Sequence, residues 1–416
     1  MDKRVAVTGM GVISCVGNDV STFWENLSNG VCGIDSITEF PVAGLPVKIA
    51  GKIKDFHPEN YGMDRPFIRK QAMFTIFAMA SAYQAMQDSG LVSGENINPS
   101  GLATYIGSGV GGFDVIIPEV SKILEDPTGK WISPLFIPTM IANMAAGQVA
   151  IKFGAQGSCL NIQTACATSS HTIGEAYRAI RHGYATAVIA GGSDFAGIPL
   201  GLAGFANCKA LTTEEDPKRA CLPFSKDRGG FVMADGSAVL VLEEWDHAVA
   251  RGAHIYAEMT GYGSTCDAYH ATAPRPDAST QADCIRIAME QSGFEPGKDV
   301  VYINAHGTGT VLNDLAETKA IKIAFGEEEA HRCHISSTKS MHGHMFGGTG
   351  AAEAVATVLA LEHGLVPPTL GLDNPDPECD LDYTPLHAVK APLTLGLSNS
   401  FGFGGHNACI AFRKAD

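Results

Sequence analysis

Short β-branched apolar runs that stop near glycine, with helix-like stretches between them, constrain this sequence more than any other feature. Val5-Ala6-Val7, Ala103-Thr104-Tyr105-Ile106, Ala187-Val188-Ile189, Val239-Leu240-Val241-Leu242, Val300-Val301-Tyr302-Ile303 and Leu393-Thr394-Leu395 are such runs. A strand apolar on both sides belongs to a sheet covered by helices on both faces. Glycine, at 47 residues, clusters just after these runs, where turns and close backbone approaches are built. The fold class read from this pattern is α/β. With 45% hydrophobic and only 18% charged residues, the chain suits a large packed core and not disorder.

The pattern occurs twice. Val7-Thr8-Gly9-Met10-Gly11 is echoed by Met259-Thr260-Gly261-Tyr262-Gly263. A helical stretch closing Ala179-Ile180-Arg181-His182-Gly183 is echoed by Ala360-Leu361-Glu362-His363-Gly364, each ending in a glycine suited to a helix C-cap. The chain therefore divides into an N-terminal half, residues 1–251, and a C-terminal half, residues 252–416. No low-complexity linker separates them, so they are expected to pack as one body. Gly9-Met10-Gly11 after a strand also invites a dinucleotide-binding reading. Ser14 occupies the third glycine position, and a tight turn is the preferred account.

A net charge of −15 argues against nucleic acid as a partner. The 11 cysteines are scattered, odd in number and free of C-x-x-C spacing, as expected of free thiols in a reducing cytoplasm. No apolar run is long enough to span a bilayer, and no signal-peptide pattern is seen, so a soluble cytoplasmic protein is expected.

Three segments carry chemistry. The first is Gln163-Thr164-Ala165-Cys166-Ala167-Thr168, where an apolar stretch hands over to a helix. A helix N-terminus there should lower the thiol pKa and populate thiolate, with small neighbours leaving room for a substrate. Thiolate suits thioester exchange, because the entering and leaving groups are both sulfur. The second is Asn304-Ala305-His306-Gly307-Thr308-Gly309-Thr310, at the end of a buried strand. The third is Lys339-Ser340-Met341-His342-Gly343-His344, followed by Phe346-Gly347-Gly348-Thr349-Gly350. A single histidine in such a place is usually structural; two, with a cysteine, each at the mouth of a strand or helix, form a less casual set. Decarboxylation of a malonyl thioester gives an enolate, whose oxygen two neutral imidazoles can hold through Nε2–H. The oxyanion formed on an acyl-cysteine is better held by backbone N–H groups. Asn399-Ser400-Phe401-Gly402-Phe403-Gly404-Gly405 could bring one beside the sulfur, its glycines permitting the approach.

Together these motifs resemble the signature set of the β-ketoacyl-[acyl carrier protein] synthases of the I/II type, most closely the type II form of the dissociated bacterial fatty acid system. The resemblance runs from Val5 to Phe412. It implies a thiolase-like fold, two similar halves in a five-layer α-β-α-β-α body, and a homodimer. It makes Cys166 the acyl-accepting nucleophile and His306 and His344 the decarboxylating pair. Lys339 matches a lysine that pairs with a glutamate at the position of Glu317. The amides of Cys166 and Phe403 match an oxyanion hole, and Phe403 also a gating phenylalanine. Val110 and Phe205 match positions lining an acyl tunnel. Thr272, Thr308 and Thr310 match contacts to the phosphopantetheine arm, with Phe401 grouped among the substrate-binding residues. Asn304, Ala305, Glu353, Ser398 and Asn399 match a structural monovalent-cation site, and no other cofactor is required. Arg65, Arg69 and Lys70 form a basic cluster where the family docks its acidic acyl carrier protein; on charge alone an ordinary solvated helix face explains them equally well.

The chain departs from the family pattern in places. His342 stands where a small or hydroxyl residue is usual and could perturb the titration of His344. Arg228-Gly229-Gly230-Phe231 lacks an acidic residue, and Gln71-Ala72-Met73 lacks an aspartate. The rival functions are a polyketide-type ketosynthase, a non-decarboxylating thiolase and a non-catalytic acyl-carrier-binding partner subunit. A thiolase needs a second catalytic cysteine, and Cys409 reads as core. A partner subunit characteristically lacks the nucleophile.

Overall fold

The computed structural model describes residues 2–415. Ten strands form one sheet. In chain order they are β1 (Val5–Ile13), β2 (Leu102–Gly107), β3 (Cys159–Leu160), β4 (Ala187–Asp194), β5 (Gly236–Glu244), β6 (Ala257–Cys266), β7 (Val301–Asn304), β8 (His334–Ser336), β9 (Leu395–Gly402) and β10 (His406–Lys414). Their order across the sheet is β8-β7-β9-β10-β6-β1-β5-β4-β2-β3.

Read outward from the β1–β6 seam, the two sides repeat. Each begins with a long strand, then an antiparallel neighbour, then three mutually parallel strands. The seam itself is short, pairing Val5, Ala6 and Val7 with Met259, Glu258 and Ala257. Two helices lie between the sides: α2 (Thr168–Arg181) and α5 (Thr349–His363) both pack against strands from each half. From Thr349 to Leu361 every residue of α5 is buried, and apart from Thr349, Glu353 and Thr357 all are glycine or apolar, as a helix packed on every side requires. Outside, α1 (Met73–Ser89) covers β1, β4 and β5, while α3 (Ser279–Gln291) covers β6 and β10, with α4 (Val311–Phe325) beside α3. These are the five layers.

The repeated Gly-x-Gly has a different purpose from the tight turn expected of it. Gly9 and Gly11 lie inside β1, and Gly261 and Gly263 inside β6. A Cβ at Gly9 would sit 2.2 Å from the carbonyl oxygen of Ala85, and one at Gly11 2.0 Å from that of Ser81, both on α1. At Gly261 and Gly263 the distances to the carbonyls of Ala288 and Cys284, on α3, are 2.2 and 1.9 Å. In both halves the missing side chains let the outer helix lie directly on the first strand, and Gly9 and Gly11 form no dinucleotide loop. The other echo marks the two central helices, each followed by a glycine with positive φ, Gly183 and Gly364. No helix among the described residues is long and apolar enough to cross a membrane.

Candidate active site

The three chemical residues come from three loops, each following one of the parallel strands of the sheet. Cys166 follows β3, in the 3-10 turn Ala165–Ala167 that runs into α2. His306 follows β7, two residues beyond its end. His344 lies after β8, between the short helix Lys339–His342 and the turn Phe346–Gly348 that leads into α5. The structure brings them together: a ring nitrogen of each histidine and the Cys166 sulfur lie within 4.8 Å of one another. They form the floor of a cleft of about 350 Å³.

Each loop is pinned by buried groups. Glu317 on α4 accepts the backbone N–H of His306 at 2.8 Å and of Gly307 at 2.7 Å. The backbone of His344 is tied to the opposite half, its N–H donating to Val232 and its carbonyl accepting from Ala234. Its Nδ1 meets the Thr349 hydroxyl at 2.9 Å, which leaves Nε2 buried and without a protein partner. His306 Nδ1 is likewise buried and unpartnered. Burial first, then the Lys339 ammonium, holds both imidazoles well below their usual pKa, so both are neutral. That is the state a hydrogen-bond donor to an enolate needs. His342, by contrast, is fully engaged, with its ring between the Thr338 hydroxyl and the Gly343 carbonyl. Burial takes it down to about 3, and it acts on His344 in the same lowering direction as burial and Lys339, ranking after both.

Two electrostatic expectations are corrected. Lys339 does not pair with Glu317: its Nζ donates to Glu353 Oε1 at 2.5 Å, with both side chains fully buried. Nor does the helix N-terminus leave a free thiolate. Burial pushes the Cys166 thiol up to about 11, while the N–H of Phe403, the Lys339 ammonium and its own N–H pull the other way. Desolvation outweighs those donors.

The glycine loop after β9 does come up to the sulfur. A Cβ at Gly402 would stand 2.7 Å from the Thr164 carbonyl and 3.1 Å from the Cys166 amide nitrogen, so only glycine allows this approach. The amides of Cys166 and Phe403 thereby flank one point beside the thiol. Thr272, Thr308, Thr310 and Phe401 all border the cleft, as does Phe403. Val110 and Phe205 do not; they lie in the apolar cluster behind it. Arg65, Arg69 and Lys70 are exposed around the short helix Arg65–Ile68 and line none of the cleft. Of the five residues matched to a cation site, three offer a buried oxygen with no partner: Glu353 Oε2, Ser398 Oγ and Asn399 Oδ1.

Asp194, at the end of β4, was not legible in the sequence. It is fully buried, and it accepts from the Ser108 hydroxyl and from the N–H groups of Gly109, Val110 and Gly347. It thus joins the loop after β2 to the turn after His344. The one sequence signal was an acid closing the apolar run that ends Gly191-Gly192-Ser193. Arg228, noted as a departure, is also buried and pairs with Asp376 at 2.6 Å, beside Asp314.

Comparison with known proteins agrees with this architecture. A family model described as beta-ketoacyl synthase, N-terminal domain, matches residues 2–248, and its C-terminal counterpart matches residues 256–373. The chain is 48% identical to a 3-oxoacyl-[acyl-carrier-protein] synthase 2 of Synechocystis, over 99% of this chain and 98% of that one. It is 45% identical to its namesake in Staphylococcus aureus, over 99% of each. Among solved structures, a type II polyketide ketosynthase, bound to a hexaketide and in complex with its acyl-carrier protein, superposes with a TM-score of 0.92 at 34% identity over all of both chains. A β-ketoacyl synthase from Burkholderia phymatum does so with 0.90 at 31%, again over all of both.

Proposed function

Because the chain belongs to the β-ketoacyl synthase family, we propose that it is a 3-oxoacyl-[acyl carrier protein] synthase that lengthens acyl chains by two carbons in fatty acid synthesis. The observation that carries this reading is the meeting of one thiol and two neutral imidazoles on the floor of a single cleft.

The reaction runs in two stages. Acyl-carrier protein enters, and the Cys166 sulfur attacks the thioester carbonyl. The new C–S bond forms first, the carrier's C–S bond breaks when the tetrahedral adduct collapses, and the thiol proton ends on the departing carrier thiol. The amides of Cys166 and Phe403 hold the tetrahedral oxyanion. Malonyl-carrier protein then binds along Thr272, Thr308 and Thr310 with its thioester carbonyl at His306 and His344. Its carboxylate leaves as CO2, and the imidazole N–H groups hold the enolate oxygen. The enolate carbon attacks the acyl-cysteine, the same two amides hold the second oxyanion, and collapse expels Cys166 as thiolate, which takes up a proton. Lys339 and Glu353 set the electrostatics beneath the imidazoles. Each removed oxyanion donor should cost about 10²–10³ in rate.

A monovalent cation fits the unpartnered oxygens of Glu353, Ser398 and Asn399, with Asn304 and Ala305 completing its surroundings. It would supply positive charge to balance Glu353 and serve a structural purpose; the reaction needs no other cofactor. The acyl carrier protein is the partner, with Arg65, Arg69 and Lys70 as its docking surface on an otherwise acidic chain. We place the enzyme in the cytoplasm as a homodimer. The test is intact-mass analysis after mixing with acyl-carrier protein and then malonyl-carrier protein, beside Cys166→Ala. An acyl adduct on Cys166, chased to a β-ketoacyl product two carbons longer with release of CO2, is expected. No adduct with any acyl chain would leave a binding subunit as the better account.

A further inference from the structure

Ala165 stands immediately before Cys166 with a left-handed backbone, φ of 51°. A residue that carries a side chain leaves that conformation unless its neighbours hold it there. The hold is on Thr164, one residue back. Its N–H donates to the Thr168 hydroxyl at 2.9 Å, and its carbonyl accepts from the N–H of Ala167 at 3.1 Å. Both contacts lie within the turn itself. The third does not: the Thr164 hydroxyl meets Nδ1 of His171 at 2.8 Å.

His171 is a buried residue of α2, and no step of the reaction above uses it. Its Nε2 meets the Ser264 hydroxyl on β6 at 3.1 Å. The ring stands edge-on to Tyr262 and to His406, with centroids 6.2 and 6.3 Å away. His406 opens β10, directly after the glycine loop that carries Phe403. Burial, then His406, holds His171 down at about 4, so the ring is neutral and offers one N–H and one lone pair to its two hydroxyl partners.

The two amides beside the sulfur belong to different halves of the chain, Cys166 to the first and Phe403 to the second. His171 belongs to the first half but takes its position from β6 and β10 of the second. Without its ring, Thr164 keeps only the contacts of its own turn. Ala165 then relaxes, and the Cys166 N–H turns with it, because that N–H shares one planar peptide unit with the Ala165 carbonyl.

We propose that His171 is a positioning residue for acyl transfer: its imidazole holds Thr164, and through Thr164 the left-handed Ala165, so that the Cys166 N–H stays aimed at the oxyanion. This rests on the condensing-enzyme reading above. The effect is confined to steps that develop an oxyanion. Attack of the same sulfur on a saturated carbon needs no such donor.

The test compares two reactions on the full chain, acylation by hexanoyl-carrier protein and alkylation by iodoacetamide, both read at the Cys166 peptide by mass spectrometry, beside a thermal melt. His171→Gln keeps a polar group where Nε2 stood and loses the one at Nδ1. It should lower acylation about 10²-fold while changing alkylation less than about twofold. His171→Asn, whose amide reaches the Nδ1 position, should bring acylation back to within about fivefold of wild type. Thr164→Val removes the hydroxyl with little change of shape and should show the same split, so it makes the comparison alone if His171→Gln does not fold. The double variant should fall no more than about twofold below the worse single one, since both remove one contact. The proposal is overturned if acylation and alkylation fall together, if acylation survives both single losses, or if asparagine does no better than glutamine. A wild type that takes up no acyl group defeats the condensing reading itself, which is a different result.

Discussion

At the scale of the residue, the Cys166 thiol is governed by its burial. With Cys166 held at about 11, the thiol is protonated at neutral pH and its reactive form grows as pH rises. Alkylation by iodoacetamide should therefore climb about tenfold for each pH unit above neutrality, because thiolate is the nucleophile. A rate that levels off near neutrality would show a thiolate already formed, and so overturn this account. The three chemical residues were legible because each stands in a glycine- or threonine-rich loop directly after a strand or before a helix. The partner of Lys339 was not. Glu317 and Glu353 are both buried acids on helices, and only packing decides that one reaches an amine while the other caps two backbone amides. Asp194 was hidden for a related reason: three of its four donors are main-chain N–H groups, which any residue type supplies.

At the scale of the element, glycine has its effect through its neighbours. Gly402 is the point where β9 passes the Cys166 loop, and a methyl group there would meet Thr164, Cys166 and Ala167 at once. Gly402→Ala should lower Cys166 acylation about 10²–10³-fold, through displacement of the Phe403 amide, while the protein stays folded. Stopped-flow or quenched acylation, beside a thermal melt, reads both. Equal acylation in the variant would remove the Phe403 amide from the oxyanion hole. The Gly-x-Gly pairs carry a similar lesson. Their repetition could be seen in the sequence, yet the tight turn assigned to Gly9-Met10-Gly11 was wrong, because the helix that needs the space is distant in the chain: Gly9 faces Ala85.

At the scale of the molecule, the sheet ends on the short strand β3, whose outer edge is open among the described residues. Large apolar side chains stand exposed on β3 and on the segments leading to it, with Leu124 at 77%, Trp131 at 65% and Ile151 at 75%. An unpaired edge flanked by exposed apolar groups is a surface for association. Sedimentation should give twice the chain mass of 43.7 kDa, and Ile151→Glu combined with Leu160→Glu should shift it toward one. A wild type that sediments as a single chain would refute the homodimer. The alternating runs gave the fold class. The packing of both central helices between the halves lay beyond the sequence, since it depends on which faces meet.

The repeated topology sets Cys166 and His344 in equivalent places, each between the last parallel strand of its half and a central helix. His306 and the Val110 loop are equivalent in the same way, each following the strand next to that last one. The thiol and one imidazole that meet at the cleft are therefore topological counterparts, and the two halves of the chain present their matching loops to one shared space.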